Sequence, residues 1–354
     1  MQELKIIKST TLKDKPEQVG DFGTIFTDHM FVLDYEEGKG WHNPVIEPYQ
    51  PMLVDPASAI LHYGQGIFEG MKAYKTNDGL VQLFRPRDNF LRLNRSAERL
   101  CIPQIDVDFV LECLNKLIEL ESEWIPTKEG TSLYIRPYIV ATESFLGVRP
   151  SHKYKLFIIL SPVGAYYPEG LKPVKILVED KFVRAVAGGL GEAKTMANYA
   201  ASLLAAQEAK SKGFSQVLWL DGVNLKYVEE VGTMNIFFKI NGEIITPALN
   251  GSILPGITRD SVIKVLKSWG LTVNERKISI DEVVEAFDNE LLEEAFGTGT
   301  AAVISPVGIL QYKDKKMELK DFESDSIAHK LYDFITKLQY GKENDTFDWI
   351  KSLS

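Results

Sequence analysis

The stretch NIFFKINGEIITP, residues 235–247, constrains the fold more than any other part of the chain. Two β-rich runs flank Asn241-Gly242, a dipeptide that accepts positive φ at both corners of a tight turn. The pattern predicts an antiparallel hairpin, which a strictly alternating parallel β-α-β order does not contain. SLYIRPYIV, 132–140, alternates as a strand, with Leu133 and Ile135 on one face and Tyr134, Arg136 and Tyr138 on the other. KLFIIL, VKILVED and QVLWLD read as further strands, and EEAFGTGTAAVISPV as strand, tight turn, strand.

Helical spacing appears between these runs. PRDNFLRLNRSAERLC places Phe90, Leu93, Ala97 and Leu100 three or four residues apart, with Pro86 near its start. DVDFVLECLNKLIEL carries Val110, Cys113, Leu114, Leu117 and Ile118 on one face. LPGITRDSVIKVLKSWG opens on Pro255-Gly256 and stops before Gly270, and an Ala-rich helix follows Lys194. Helices and strands mix without strict alternation, so the class is α+β. A length of 354 residues predicts two domains. The Gly/Pro punctuation in PVGAYYPEGLKP marks a boundary at about 165–175, dividing the chain into a domain over 1–168, a linker over 169–178 and a domain over 179–354.

Charge narrows the partners. Forty Lys and Arg against 49 Asp and Glu give a net charge of −9, which disfavours nucleic acid and anionic membranes. No stretch approaches a membrane span, and the first residues lack the apolar run of a signal peptide, so a cytoplasmic protein is expected. The two cysteines, Cys101 and Cys113, form no C-x-x-C and lie in or near helical patterns; both are expected to be buried, without disulfide or zinc.

Four elements carry chemistry. Lys194 stands alone among small residues in GGLGEAKTMANYA, a setting that lets an amine meet a carbonyl carbon, although an ordinary surface lysine also fits. GGLGEAKT falls short of a phosphate-binding loop, because Ala193 stands where that motif needs glycine. Glu229 and Glu230 in VEEVGTMN offer a carboxylate that, if buried, keeps a ring nitrogen protonated; an acidic loop is the alternative. LPGITRD opens a helix whose free N–H groups suit phosphate, and FGTGTAA gathers amides and hydroxyls in a tight turn.

In order, LHYGQGIFEGMKAY, LFRPRDNFLRLNRSAERL, SLYIRPYIV, GGLGEAKTMANYA, EEVGTMNIFF, LPGITRD and FGTGTAA resemble the motifs of branched-chain amino-acid aminotransferases. The resemblance runs from about residue 25 to the C-terminus. It implies the fold-type IV architecture, with a small α/β domain, a larger pseudo-barrel domain and pyridoxal 5′-phosphate as cofactor. It implies that Lys194 bonds the cofactor and shuttles the α-proton, that Glu230 partners the pyridine nitrogen, and that Tyr199 bonds the ring hydroxyl. Arg92, Ile257, Thr258 and Thr300 match the phosphate holders, and Arg184 an arginine near the cofactor. The amides of Thr300 and Ala301 match the receiver of the substrate α-carboxylate. Phe68, Tyr63, Tyr134 and Tyr166 match the side-chain pocket, and Arg136 an arginine for the distal carboxylate of glutamate. Implied substrates are leucine, isoleucine or valine with 2-oxoglutarate and glutamate, and the implied assembly is a homodimer.

Some relatives of the longer type carry a C-x-x-C after the Gly-Thr-Ala turn; here those positions are Ala302 and Ser305, so that redox control is expected to be absent. Within the same fold, a D-amino-acid aminotransferase or an aminodeoxychorismate lyase would share Lys194 and Glu230 but not Tyr134 and Arg136. A phosphate-binding NTPase or a non-catalytic cofactor carrier represents a different class.

Overall fold

The computed structural model describes residues 3–16, 19, 22–164, 171–319 and 325–353. Its contacts form two compact units: Met1–Pro168 with Ala193–Met196 and Lys337–Ser354, and Glu169–Glu192 with Ala197–Thr336. Among the described residues no helix is long and apolar enough to cross a membrane.

The first unit is built on a mostly antiparallel sheet. Its longest pairing joins Ser132–Ala141 to Lys153–Val163, and the other edge of Ser132–Ala141 takes Met71–Lys75 and Gly66–Phe68. The alternation read in SLYIRPYIV is present. Leu133, Ile135 and Ile139 pack into the main core with Phe90, Leu93, Val110 and Leu114 of the helices Pro86–Arg99 and Val107–Leu120. Tyr138 lies in a separate cluster with Phe157, their rings stacked at 5.1 Å. Each fully buried aliphatic or aromatic side chain contributes about 1.5–3 kcal/mol, so this helix-covered face is the unit's main source of stability. Val107–Leu120 starts cleanly because the Asp106 carboxylate accepts from the N–H groups of Asp108 and Phe109, both at 3.1 Å.

In the second unit six strands close on themselves. Val228–Val231 pairs with Gln216–Leu220, then come Val174–Val178, Val303–Tyr312, Leu292–Gly299 and Met234–Ile240, which pairs back with Val228–Val231. The α+β class and the pseudo-barrel are therefore both present. The predicted hairpin is one side of this ring: Met234–Ile240 pairs with Glu243–Thr246, and Asn241 and Gly242 take φ values of 48° and 78°. Phe237 and Phe238 are both fully buried although neighbours on a strand face opposite ways, so both faces of this strand are covered. Phe237 stacks on Phe296 of the adjoining strand at 5.3 Å.

Several expectations differ from the structure. The last five residues of the span read as a linker, Val174–Val178, are a strand of the ring. The C-terminal tail, read with the second domain, pairs instead in the first sheet: Ile350–Leu353 runs antiparallel to Val81–Phe84. Trp349 fixes this arrangement by accepting from Arg85 N–H at 2.8 Å while its ring lies 5.1 Å from the Arg85 guanidinium. The Ala-rich helix is two helices, Met196–Ala201 and Leu203–Ser211, with the Ser202 hydroxyl donating to the Tyr199 carbonyl at the break. Cys113 is buried as expected, but Cys101 is exposed, because it follows the end of its helix with φ of 54° and leaves the apolar face.

Gly242→Ala tests the hairpin. A Cβ at positive φ is strained, so the variant is expected to lose about 1 kcal/mol in urea unfolding, with its fold retained.

Candidate functional site

In the second unit Glu230 and Asn235 meet at the backbone of Leu254. Glu230 lies on Val228–Val231, where both it and Glu229 are buried. Glu230 Oε1 accepts from Leu254 N–H at 2.7 Å, while Asn235 Nδ2 donates to the Leu254 carbonyl at 2.9 Å. A two-strand turn thus grips the loop that leads into the helix Ile257–Ser268. Gly256 caps that helix, and a Cβ there would fall 2.1 Å from Asn235 Oδ1, so only glycine allows the approach. Ile257 and Thr258, two of the four expected phosphate holders, occupy the first helical positions, where N–H groups have no intrahelical acceptor. The spacing between the carboxylate and the helix start is therefore set by short hydrogen bonds rather than by a flexible loop.

Arg184 is the counterion of Glu230. Its Nε lies 3.3 Å from Glu230 Oε2, both side chains are nearly excluded from solvent, and its Nη2 donates to the carbonyl of Ser252. On the neighbouring hairpin, Leu292–Gly299 and Val303–Tyr312 are joined by a turn holding Thr300 and Ala301, half-buried. Gly297 and Gly299 let this strand lie against Met234, which a Cβ at Gly297 would meet at 2.9 Å. Thr298 Oγ1, on the strand two residues before Thr300, is buried without a hydrogen-bond partner. Tyr199 sits half-buried on the short helix Met196–Ala201.

The first unit holds Lys194. Its N–H donates to Ser96 Oγ at 2.9 Å and its carbonyl accepts from Phe68 N–H at 3.0 Å. Thr195 extends the contact, forming a bridge with Ile67 and donating its hydroxyl to the Gly66 carbonyl at 3.0 Å. The lysine backbone is thus fixed as though it were an extra strand residue. Its Nζ stands 4.9 Å from the centre of the Phe68 ring, and the Arg136 guanidinium stands at the same distance from that ring. Arg136 Nη2 also donates to the Tyr134 hydroxyl at 3.0 Å. A Cβ on Gly70 would fall 2.1 Å from that hydroxyl, so Gly70 leaves the room in which Tyr134 lies.

Arg92, one helical turn before Ser96, is buried and forms a two-point pair with Glu69, at 2.7 and 2.9 Å. Lys72, opposite Tyr134 in the sheet, is buried, and desolvation lowers its amine to about 8. Tyr63 is exposed and donates to the Leu146 carbonyl at 2.5 Å. Tyr166 lies outside the described residues. Sequence reasoning missed Glu69, Ser96, Asn235, Asn250 and Ser252. Ser96 could have been found from its four-residue spacing after Arg92; the contacts of Asn235 and Ser252 span distant segments and leave no local pattern.

A family model described as amino-transferase class IV matches residues 66–309. The chain is 62% identical to branched-chain-amino-acid aminotransferase 2 of Bacillus subtilis (strain 168), over 100% of this chain and 98% of that protein. Among solved structures, the Escherichia coli branched-chain amino acid aminotransferase matches with a TM-score of 0.76 at 27% identity, over 92% of this chain and 99% of that chain. The PLP-form of the branched-chain amino acid aminotransferase from Thermobaculum terrenum matches with a TM-score of 0.74 at 25% identity, over 92% and 98%.

Two substitutions test the buried charges. Glu69→Ala leaves Arg92 without its two-point partner, so a loss of about 3–5 kcal/mol is expected in chemical denaturation. Lys72 loses its proton near pH 8 when folded but only near 10.5 when unfolded. Its desolvation cost, about 3 kcal/mol, is therefore full below pH 8 and is relieved as pH rises toward 10.5. Lys72→Met is expected to exceed the parent in stability at pH 7, with the gap closing by pH 10.

Proposed function

Because the chain belongs to the class IV amino-transferases, we infer that it is a branched-chain amino-acid transaminase. It transfers the amino group of L-leucine, L-isoleucine or L-valine reversibly to 2-oxoglutarate, giving the branched 2-oxo acid and L-glutamate. The cofactor is pyridoxal 5′-phosphate, which when bound supplies a protonated ring that withdraws electrons from the α-carbon of the amino acid.

The observation that carries this reading is the buried Glu230 carboxylate, paired with Arg184 and hydrogen-bonded to the peptide before the helix Ile257–Ser268. Glu230 would hold the ring nitrogen in its protonated state through a charge-assisted bond. The N–H groups of Ile257 and Thr258 and the hydroxyl of Thr300 would hold the phosphate, and the unpartnered Thr298 hydroxyl nearby is a donor in keeping with such a group. The amides of Thr300 and Ala301 would take the substrate α-carboxylate. Tyr199 would bond the ring hydroxyl, and Arg184 acts through Glu230.

In the first unit, Lys194 would bind the cofactor covalently and, once released, take the proton from the α-carbon and return it. Its pinned backbone and long, flexible side chain suit a group that must move while its tether stays fixed. Arg92 would add charge for the phosphate. Phe68, Tyr134, Tyr63 and Tyr166 would line the side-chain pocket. The Arg136 guanidinium lies over the Phe68 ring, so one patch offers an aromatic surface to an isobutyl group and a cation to the distal carboxylate of 2-oxoglutarate. The proposal extends to a homodimer working in the cytoplasm, where its two free cysteines would stay reduced.

Leucine-dependent glutamate formation is expected from the parent protein, with a fall of about a thousand-fold or more in Lys194→Ala. Borohydride reduction followed by peptide mapping is expected to find the pyridoxyl label on the peptide containing Lys194. Equal rates, or a label elsewhere, would exclude the assignment.

A further inference from the structure

Glu229 and Glu230 are adjacent and both buried, at 2% and 3% exposure, yet strand neighbours face opposite ways. Glu230 is accounted for by Arg184 and Leu254. Glu229 faces Ser252 and Asn250, and the hydrogen bonds among these three groups determine which atom carries a proton.

Ser252 Oγ lies in hydrogen-bond contact with two oxygens, Glu229 Oε1 and Asn250 Oδ1, the second at 2.7 Å. A hydroxyl has one proton to give. The orientation of the Asn250 amide is set independently, because Ser252 N–H donates to its Oδ1 at 3.1 Å and its Nδ2 points toward Glu229 Oε1 at 3.5 Å. Asn250 Oδ1 is therefore an acceptor, and the Ser252 hydroxyl donates to it. The proton between Ser252 and Glu229 must then come from the carboxyl group.

Of the nearby charges, Asp221 favours the neutral acid and Arg184 the carboxylate. Arg184 and Asp221 are the charged groups acting on Glu229 from the elements packed against it, together with Glu230 on its own strand. Arg184 places its Nε against Glu230. Asp221 is occupied by the N–H groups of Val223, Asn224, Lys226 and Tyr227, which stabilise its negative charge. Glu229 Oε2 is buried without a hydrogen-bond partner, which suits a neutral acid and not a carboxylate. Burial raises the affinity of this carboxyl for its proton.

We propose that Glu229 is a positioning residue held as a neutral carboxylic acid: it donates to Ser252, whose carbonyl anchors Arg184, and so keeps the negative charge of the adjacent pair on Glu230. The proton assignment stands on this chain alone; its consequence for turnover rests on the transaminase reading.

Infrared difference spectroscopy tests the proton directly. The cofactor-free protein at neutral pH is expected to show a protonated-carboxyl carbonyl band that is lost in Glu229→Gln and shifted in Ser252→Ala. Glutamine keeps a donor and no charge, so Glu229→Gln is expected to retain the parent's visible absorption with added pyridoxal phosphate and its leucine turnover. Glu229→Ala is expected to lose about tenfold in turnover, the effect of one buried hydrogen bond. Absence of the band in the parent protein overturns the proposal, as does a Gln variant that falls as far as the Ala variant. Should Glu229→Gln fail to fold, the band in the parent and its shift in Ser252→Ala decide the question. A parent protein that shows the band but makes no glutamate from leucine would refute the transaminase reading and leave the proton assignment standing.

Discussion

The second unit depends on how the backbone of one residue, Leu254, is held. Its N–H is taken by Glu230 and its carbonyl by Asn235, two side chains from paired strands of a closed ring. Both backbone polar groups of Leu254 are thus satisfied. The helix that follows inherits its position from the ring. A carboxylate and the first N–H groups of a helix are thereby held at a fixed separation. Gly256 belongs to the same device, since any side chain there would strike Asn235.

Both units place ion pairs where water is scarce. Arg92 has Glu69 and Arg184 has Glu230. The two pairs differ in kind. The first is a two-point bond inside a helix-covered sheet. The second leaves the carboxylate with a further N–H bond, and the arginine with a carbonyl to hold. Burying such pairs contributes little net stability compared with apolar residues, but it fixes geometry closely, and removal of one partner leaves an unsatisfied charge.

Much of the fold was legible because it is written in local patterns. The hairpin at Asn241-Gly242 needs only two positive φ values, and the alternation in SLYIRPYIV needs only one covered face. The tail was misread because Ile350–Leu353 carries no signal of which sheet edge it will join; that depends on Arg85 and Trp349 meeting across the chain. Cys101 was misread because helical spacing predicts a face but not the residue at which the helix ends. At the site, the residue types in the motifs were visible, and their supports were not. Nothing around Ser252 announces that its hydroxyl will meet Glu229, 23 positions earlier. The burial of both glutamates was likewise hidden, since alternation predicts that one of two neighbours faces water.

The short segment Ala193–Met196 counts with the first unit, while the residues on either side of it count with the second. The first sheet therefore borrows a strand-like piece, Thr195 against Ile67, from deep in the later sequence, and a closing strand from the far end of the chain. A fragment ending near residue 168 would present raw sheet edges in both places and would lack its lysine. For this chain, modular dissection at the obvious seam yields an incomplete part, and ribosomal synthesis must pass residue 353 before the first sheet has all its strands.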